Sequence, residues 1–126
     1  MMVAIAHGWD LEVDRGPDWL FVRILQIPRD ADDAPPLAES LWRIMQEHFA
    51  TRLVLEMDQV ELLRSFLVGQ LVLIAKRLHA GGGLLRICGL SENNRDVLRC
   101  LQLQDNFPVY ASRDDAVLGH HPRKPR

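Results

Sequence analysis

The chain has 126 residues, 48% of them apolar, and its 15 basic and 17 acidic side chains leave a net charge of -2. This length suffices for one compact domain that needs neither disulfide nor metal, and the balanced charge argues against a nucleic-acid footprint, which shows as a basic excess on one face. No stretch reaches the roughly 18 uninterrupted apolar residues of a membrane span and no cationic region leads into an apolar one near the N-terminus, so neither membrane insertion nor secretion is expected.

In chain order, Trp9 to Val13 alternates weakly and Arg15-Gly16-Pro17-Asp18 is a turn cluster. Residues 19–27 then form a strongly apolar second strand of a hairpin. A polar connection over 28–36 ends in a proline suited to the first turn of a helix. Over 37–49 the positions Leu37, Leu41, Ile44, Met45, His48 and Phe49 share one side at helical spacing, with Glu39, Arg43 and Glu47 opposite. Residues 51–60 read as the central strand, and Ser65 opens a long apolar helix that stops at Gly81-Gly82-Gly83, a C-cap and turn rather than a phosphate loop. A strand over 84–88, a third helix capped by Ser91, a strand over 107–110 and a short helix over 114–118 complete the order β-β-α-β-α-β-α-β-α. It predicts an α/β domain over 1–119, with a mixed sheet and helices mainly on one face, followed by a disordered tail at 120–126.

Two cysteines, Cys88 and Cys100, each sit in an apolar pattern and read as buried thiols of a reducing, cytoplasmic protein. His7, His48, His79, His120 and His121 show no pairing at zinc spacing, and His48 reads as a hydrogen-bonded core residue. Asp58 and Glu61, like the run Asp30, Asp32 and Asp33, read as solvated loop charges. With no nucleophile or cofactor motif beside them, no catalytic residue, cofactor or metal is expected.

The interest concentrates on the turn before the second helix. There the Ser65 hydroxyl can accept from free N–H groups of the first helical turn and stand clear of the fold. In that helix Leu67, Leu71, Ile74 and Leu78 form the core face. Phe66 and Leu73 lie seven residues apart on another face beside Gly69, a second apolar stripe that suggests contact with another chain. Arg64, Ser65, Phe66, Gly69 and Leu73 are therefore the candidate partner-binding residues, and a cover of neighbouring loops is the bland alternative.

Over residues 52–117 the chain resembles the STAS domains of bacterial anti-sigma factor antagonists. The segments that carry the likeness are VLEMDQVELLRSFLVGQL, HAGGGLLRICGLSENNRDVLRCLQLQDNFPVYAS and RDDAV, and the ending Asn106-Phe107-Pro108-Val109-Tyr110 with Asp114-Asp115-Ala116 matches best. The resemblance implies a non-enzymatic regulatory module that binds an anti-sigma factor and so frees a sigma factor for transcription. It also implies a switch, a serine at the head of the second helix that the anti-sigma factor phosphorylates as a kinase, and the matching position is Ser65. The turn departs from the family pattern: Arg64 replaces an acidic residue, Phe66 a hydroxyl and Leu67 a glycine, while Gln102 replaces a glycine after the third helix. These departures support an alternative, a STAS-like scaffold without the switch that self-associates into a homo-oligomer through Phe66 and Leu73 or binds a small apolar ligand.

Overall fold

Alternating burial builds the sheet. The computed structural model describes residues 1–27 and 31–119, so the expected tail, with His120 and His121, and Asp30 of the first connection lie outside the described residues. Strands β1 (Met2–Ala6), β2 (Trp9–Arg15) and β3 (Leu20–Gln26) precede helix α1 (Leu37–Glu47), and β4 (Arg52–Glu56), α2 (Ser65–Ala80), β5 (Leu84–Cys88), α3 (Glu92–Cys100), β6 (Val109–Tyr110) and α4 (Arg113–Leu118) follow. The strands form one sheet in the order β1-β2-β3-β4-β5-β6, antiparallel from β1 to β3 and parallel from β3 to β6. The predicted α/β architecture stands, with one strand more than expected. That strand, MVAIA, is apolar without alternation and carries no period-2 signal.

The main core lies on one face of the sheet. Leu11 and Val13 of β2, Leu20, Val22 and Ile24 of β3 and Leu53 and Leu55 of β4 meet Leu37, Leu41 and Ile44 of α1, Leu67, Leu71, Ile74 and Leu78 of α2, and Leu98 of α3. Burial of side chains this size stabilises by roughly 1.5–3 kcal/mol each before entropy is counted. The opposite face carries a smaller cluster of Trp19, Phe21, Val54, Cys88, Tyr110 and Ala116, which seats α4.

Four local expectations are corrected. The central strand ends at Glu56, and Met57 and Val60, though buried, belong to the following loop. Helix α1 ends two residues before its apolar pattern does: the N–H of Phe49 donates to the Gln46 carbonyl and that of Ala50 to the Met45 carbonyl, a 6→1 closure. Phe49 therefore leaves the core face and His48 sits half-exposed at the C-cap instead of inside the core. Cys88 is buried, but Cys100, the last residue of α3, is exposed.

Candidate partner-binding site

The site begins where β4 gives way to the loop of residues 57–64. Met57, Val60 and Leu63 are buried and pin the loop to the core, which leaves Asp58, Gln59, Glu61, Leu62 and Arg64 outside. Chain polarity alone cannot hold such a turn, because its inward-facing backbone groups need partners. Asn94 supplies them. Fully buried in the first turn of α3, it accepts from the Leu63 N–H at 2.8 Å through Oδ1 and donates from Nδ2 to the Val60 carbonyl at 3.1 Å. Its own N–H is held by the Ser91 hydroxyl at 3.2 Å, the N-cap expected from the sequence.

Beyond this clamp the chain enters α2. Arg64, not Ser65, occupies the extended N-cap position, and no side chain caps the helix. Ser65 is thus the first helical residue, exposed, and its hydroxyl does not perform the capping that its position suggested. Arg64 reaches Asp33 at 3.4 Å, an exposed pair of small energetic weight.

Along α2 the core face is as expected, with Leu67, Leu71, Ile74 and Leu78 buried. Phe66 and Leu73 remain 44% and 56% exposed, and a Cβ added at Gly69 would meet nothing within 4 Å, so among the described residues no loop closes over the second stripe. Phe66 and Leu73 border a shallow groove of about 740 Å³ between α1 and α2, which Ala34, Pro36, Ile74 and Arg77 also line. Its walls are braced: the Ala38 N–H donates to Gln70 Oε1 at 2.9 Å, and the Arg77 guanidinium lies 4.1 Å from the centre of the Trp42 ring. A helix-interior glycine costs about 1 kcal/mol against alanine, and no close contact among the described residues requires one at Gly69.

Behind the loop, on the α4 face, lies an ionic cluster. The strand register sets Glu12, Arg23, Glu56 and Cys88 side by side. Buried Glu56 accepts from Arg113 at 3.0 and 2.8 Å and from Arg23 at 3.4 Å, while Arg23 also reaches Asp58 at 3.2 Å and Arg113 reaches Asp14 at 2.7 Å. Arg113 further covers the Phe21 ring at 4.3 Å from its centre. The hydrogen bond from Arg113 holds the Asp14 carboxyl below its usual range. Burial would raise Asp58, but hydrogen bonding from Gln59 and the charge of Arg23 outweigh it and lower that carboxyl too. The Cys88 thiol is pushed up to about 12, by burial first and then by the charges of Glu56 and Asp58. A carboxylate saturated by two guanidiniums is poorly placed to act as a base, and a protonated buried thiol is no nucleophile. The cluster fastens α4 to the sheet.

Asp58 is therefore an ion-paired residue rather than a free loop charge. Among the described residues, no group of three or more His, Cys, Asp or Glu side chains is arranged to hold a metal ion, and no helix is long and apolar enough to cross a membrane. Sequence reading missed Asn94 and the Arg113–Glu56 pair. Spacing signalled the first, since Asn94 stands four residues before buried Leu98 on one helix face, and Glu56 broke an apolar strand.

The STAS domain family model matches residues 11–116 of the chain. Solved structures with the same fold include an anti-sigma factor antagonist from Mycobacterium paratuberculosis, with 21% identity and a TM-score of 0.71 over 86% of this chain and 91% of that one. A candidate anti-sigma factor antagonist from Thermotoga maritima gives 18% identity and a TM-score of 0.68, covering 86% and 92% of the two chains. A chain of the stressosome, described as a signal integration and transduction hub, gives 13% and 0.66 over 86% and 94%. No curated protein sequence matches the chain.

Proposed function

We propose that this chain, which belongs to the STAS domain family, is a non-enzymatic regulatory module that binds an anti-sigma factor through Arg64, Ser65, Phe66, Gly69 and Leu73. The observation that carries the reading is the open apolar stripe of α2 directly beside an exposed serine at the helix head. An apolar stripe gives a partner something to bury, and the bare glycine lets a second backbone approach closely.

Ser65 adds a means of release. A phosphoryl group there brings roughly -1.5 to -2 charges at neutral pH, and the first turn of a helix tolerates that charge without loss of fold. The same charge beside Phe66 disrupts an apolar contact. Arg64 stands next to the hydroxyl, so a kinase acting on Ser65 must accept a basic neighbour.

The test is capture from the native host with wild-type and Ser65→Asp baits. Retention of a kinase-like ATPase by wild type and its loss with Ser65→Asp supports the switched module. Equal retention by both removes the switch and leaves constitutive binding. The groove between α1 and α2 favours a second reading, a scaffold that joins copies of itself or binds a small apolar ligand there. Recovery of this chain alone, in a concentration-dependent oligomer, supports that alternative.

A further inference from the structure

We infer that the end of the domain opposite Ser65 carries a second docking surface, a knob at Phe49 that receives an acidic protein segment bearing an apolar side chain. Phe49 is 92% exposed, more than any other large apolar residue among those described. It also adopts φ 51°, the left-handed region, at the position after α1 where the 6→1 closure favours glycine. A phenylalanine there meets two penalties at once, backbone strain and apolar exposure, and among the described residues its side chain makes no hydrogen bond, ion pair or ring contact that offsets either. The equivalent position after α2 is Gly82, with φ 78°, so the fold itself does not demand a ring at such a site.

The surroundings identify the partner chemistry. Phe49 borders a cleft of about 350 Å³ together with Arg15, Asp18, Trp19, His48 and Arg52. The Arg52 guanidinium lies 5.8 Å from the centre of the Trp19 ring. Among the described residues neither Arg15 nor Arg52 forms an ion pair. Two guanidiniums without ion pairs, against the single carboxylate of Asp18, leave the cleft beside the exposed ring with a net positive charge that fits carboxylates flanking an apolar residue. A chain with net charge -2 is poorly suited to an extended polyanion such as nucleic acid or an anionic membrane, whereas a short acidic segment meets only the local charge. Phe49 precedes β4 and Ser65 follows it, and five residues of strand set its two ends about 16 Å apart. Both surfaces can therefore be occupied together. This surface is independent of the Ser65 reading.

The probe is a capped synthetic peptide, Glu-Glu-Leu-Phe-Glu-Glu, titrated into the isotopically labelled full chain and followed by NMR. The expected result is saturable shifts at Trp19, Phe49 and Arg52, weakened about tenfold or more by Phe49→Gly and by Arg52→Glu. The thermal midpoint of Phe49→Gly should equal or exceed that of wild type, because glycine relieves the strained backbone. Absence of saturable shifts, unchanged affinity in both variants, or a lowered midpoint for Phe49→Gly would overturn the proposal. So would binding of phosphatidylserine vesicles without binding of the peptide, or self-association that Phe49→Gly abolishes.

Discussion

Asn94 shows how one side chain turns an irregular loop into a fixed surface. Its amide answers one donor and one acceptor of the loop backbone at once, and both contacts are out of reach of water. Asn94→Leu keeps the volume but strands both backbone groups, which should cost about 2–3 kcal/mol in urea unfolding. Amide exchange at Leu63 should rise more than exchange in β3 or β4, because the loop opens before the sheet does. The thiols give a second test at this scale. At pH near 8 a disulfide reagent should titrate Cys100 promptly and Cys88 only at the rate of unfolding, since burial keeps the latter protonated. Prompt reaction of both would contradict the burial of Cys88.

At the level of elements, α2 divides into a face that holds the fold and a face that does not. Leu71→Ala should cost about 2–5 kcal/mol, whereas Phe66→Ser combined with Leu73→Ser should change monomer stability by less than about 1 kcal/mol. Gly69→Ala should raise stability by up to about 1 kcal/mol while weakening partner binding, a split that thermal melts and affinity measurements on one sample can read. The helix and its core stripe were legible because Leu67, Leu71, Ile74 and Leu78 recur at helical spacing in SFLVGQLVLIAKRLHA, although other faces of the helix are apolar too. Its cap was not. A serine before an apolar run resembles a capping residue, but the extended conformation falls on Arg64, and the backbone decides which residue caps. β1 escaped notice for the reverse reason, as uniform apolarity carries no period, and the early end of α1 was hidden because Phe49 continues the pattern past the closure. Long-range partners such as Arg113 for Glu56, 57 residues apart, leave no local trace.

For the whole molecule, the ionic cluster ties the last helix to the middle of the sheet. Asp14 and Asp58 have lowered pKa values in the fold, so the unfolded chain binds more protons than the native one in acid. Their contribution is complete above the ordinary carboxylate pKa of about 4 and is lost as pH falls through the folded values. Arg113→Gln should cost about 2 kcal/mol at neutral pH, less than a fully buried pair because Arg23 still faces Glu56. It should also flatten the acid limb of stability between about pH 5 and 2, which urea midpoints across that range would reveal.

The fold leaves a loop and one helix face open at one end of β4, the end where regulation is proposed. The most direct measurement is a hydrogen-exchange footprint of the captured ATPase on this chain. Protection confined to residues 62–73, and absent when Ser65 carries phosphate, is the predicted result. Protection elsewhere, with exchange over 62–73 unchanged, would contradict it.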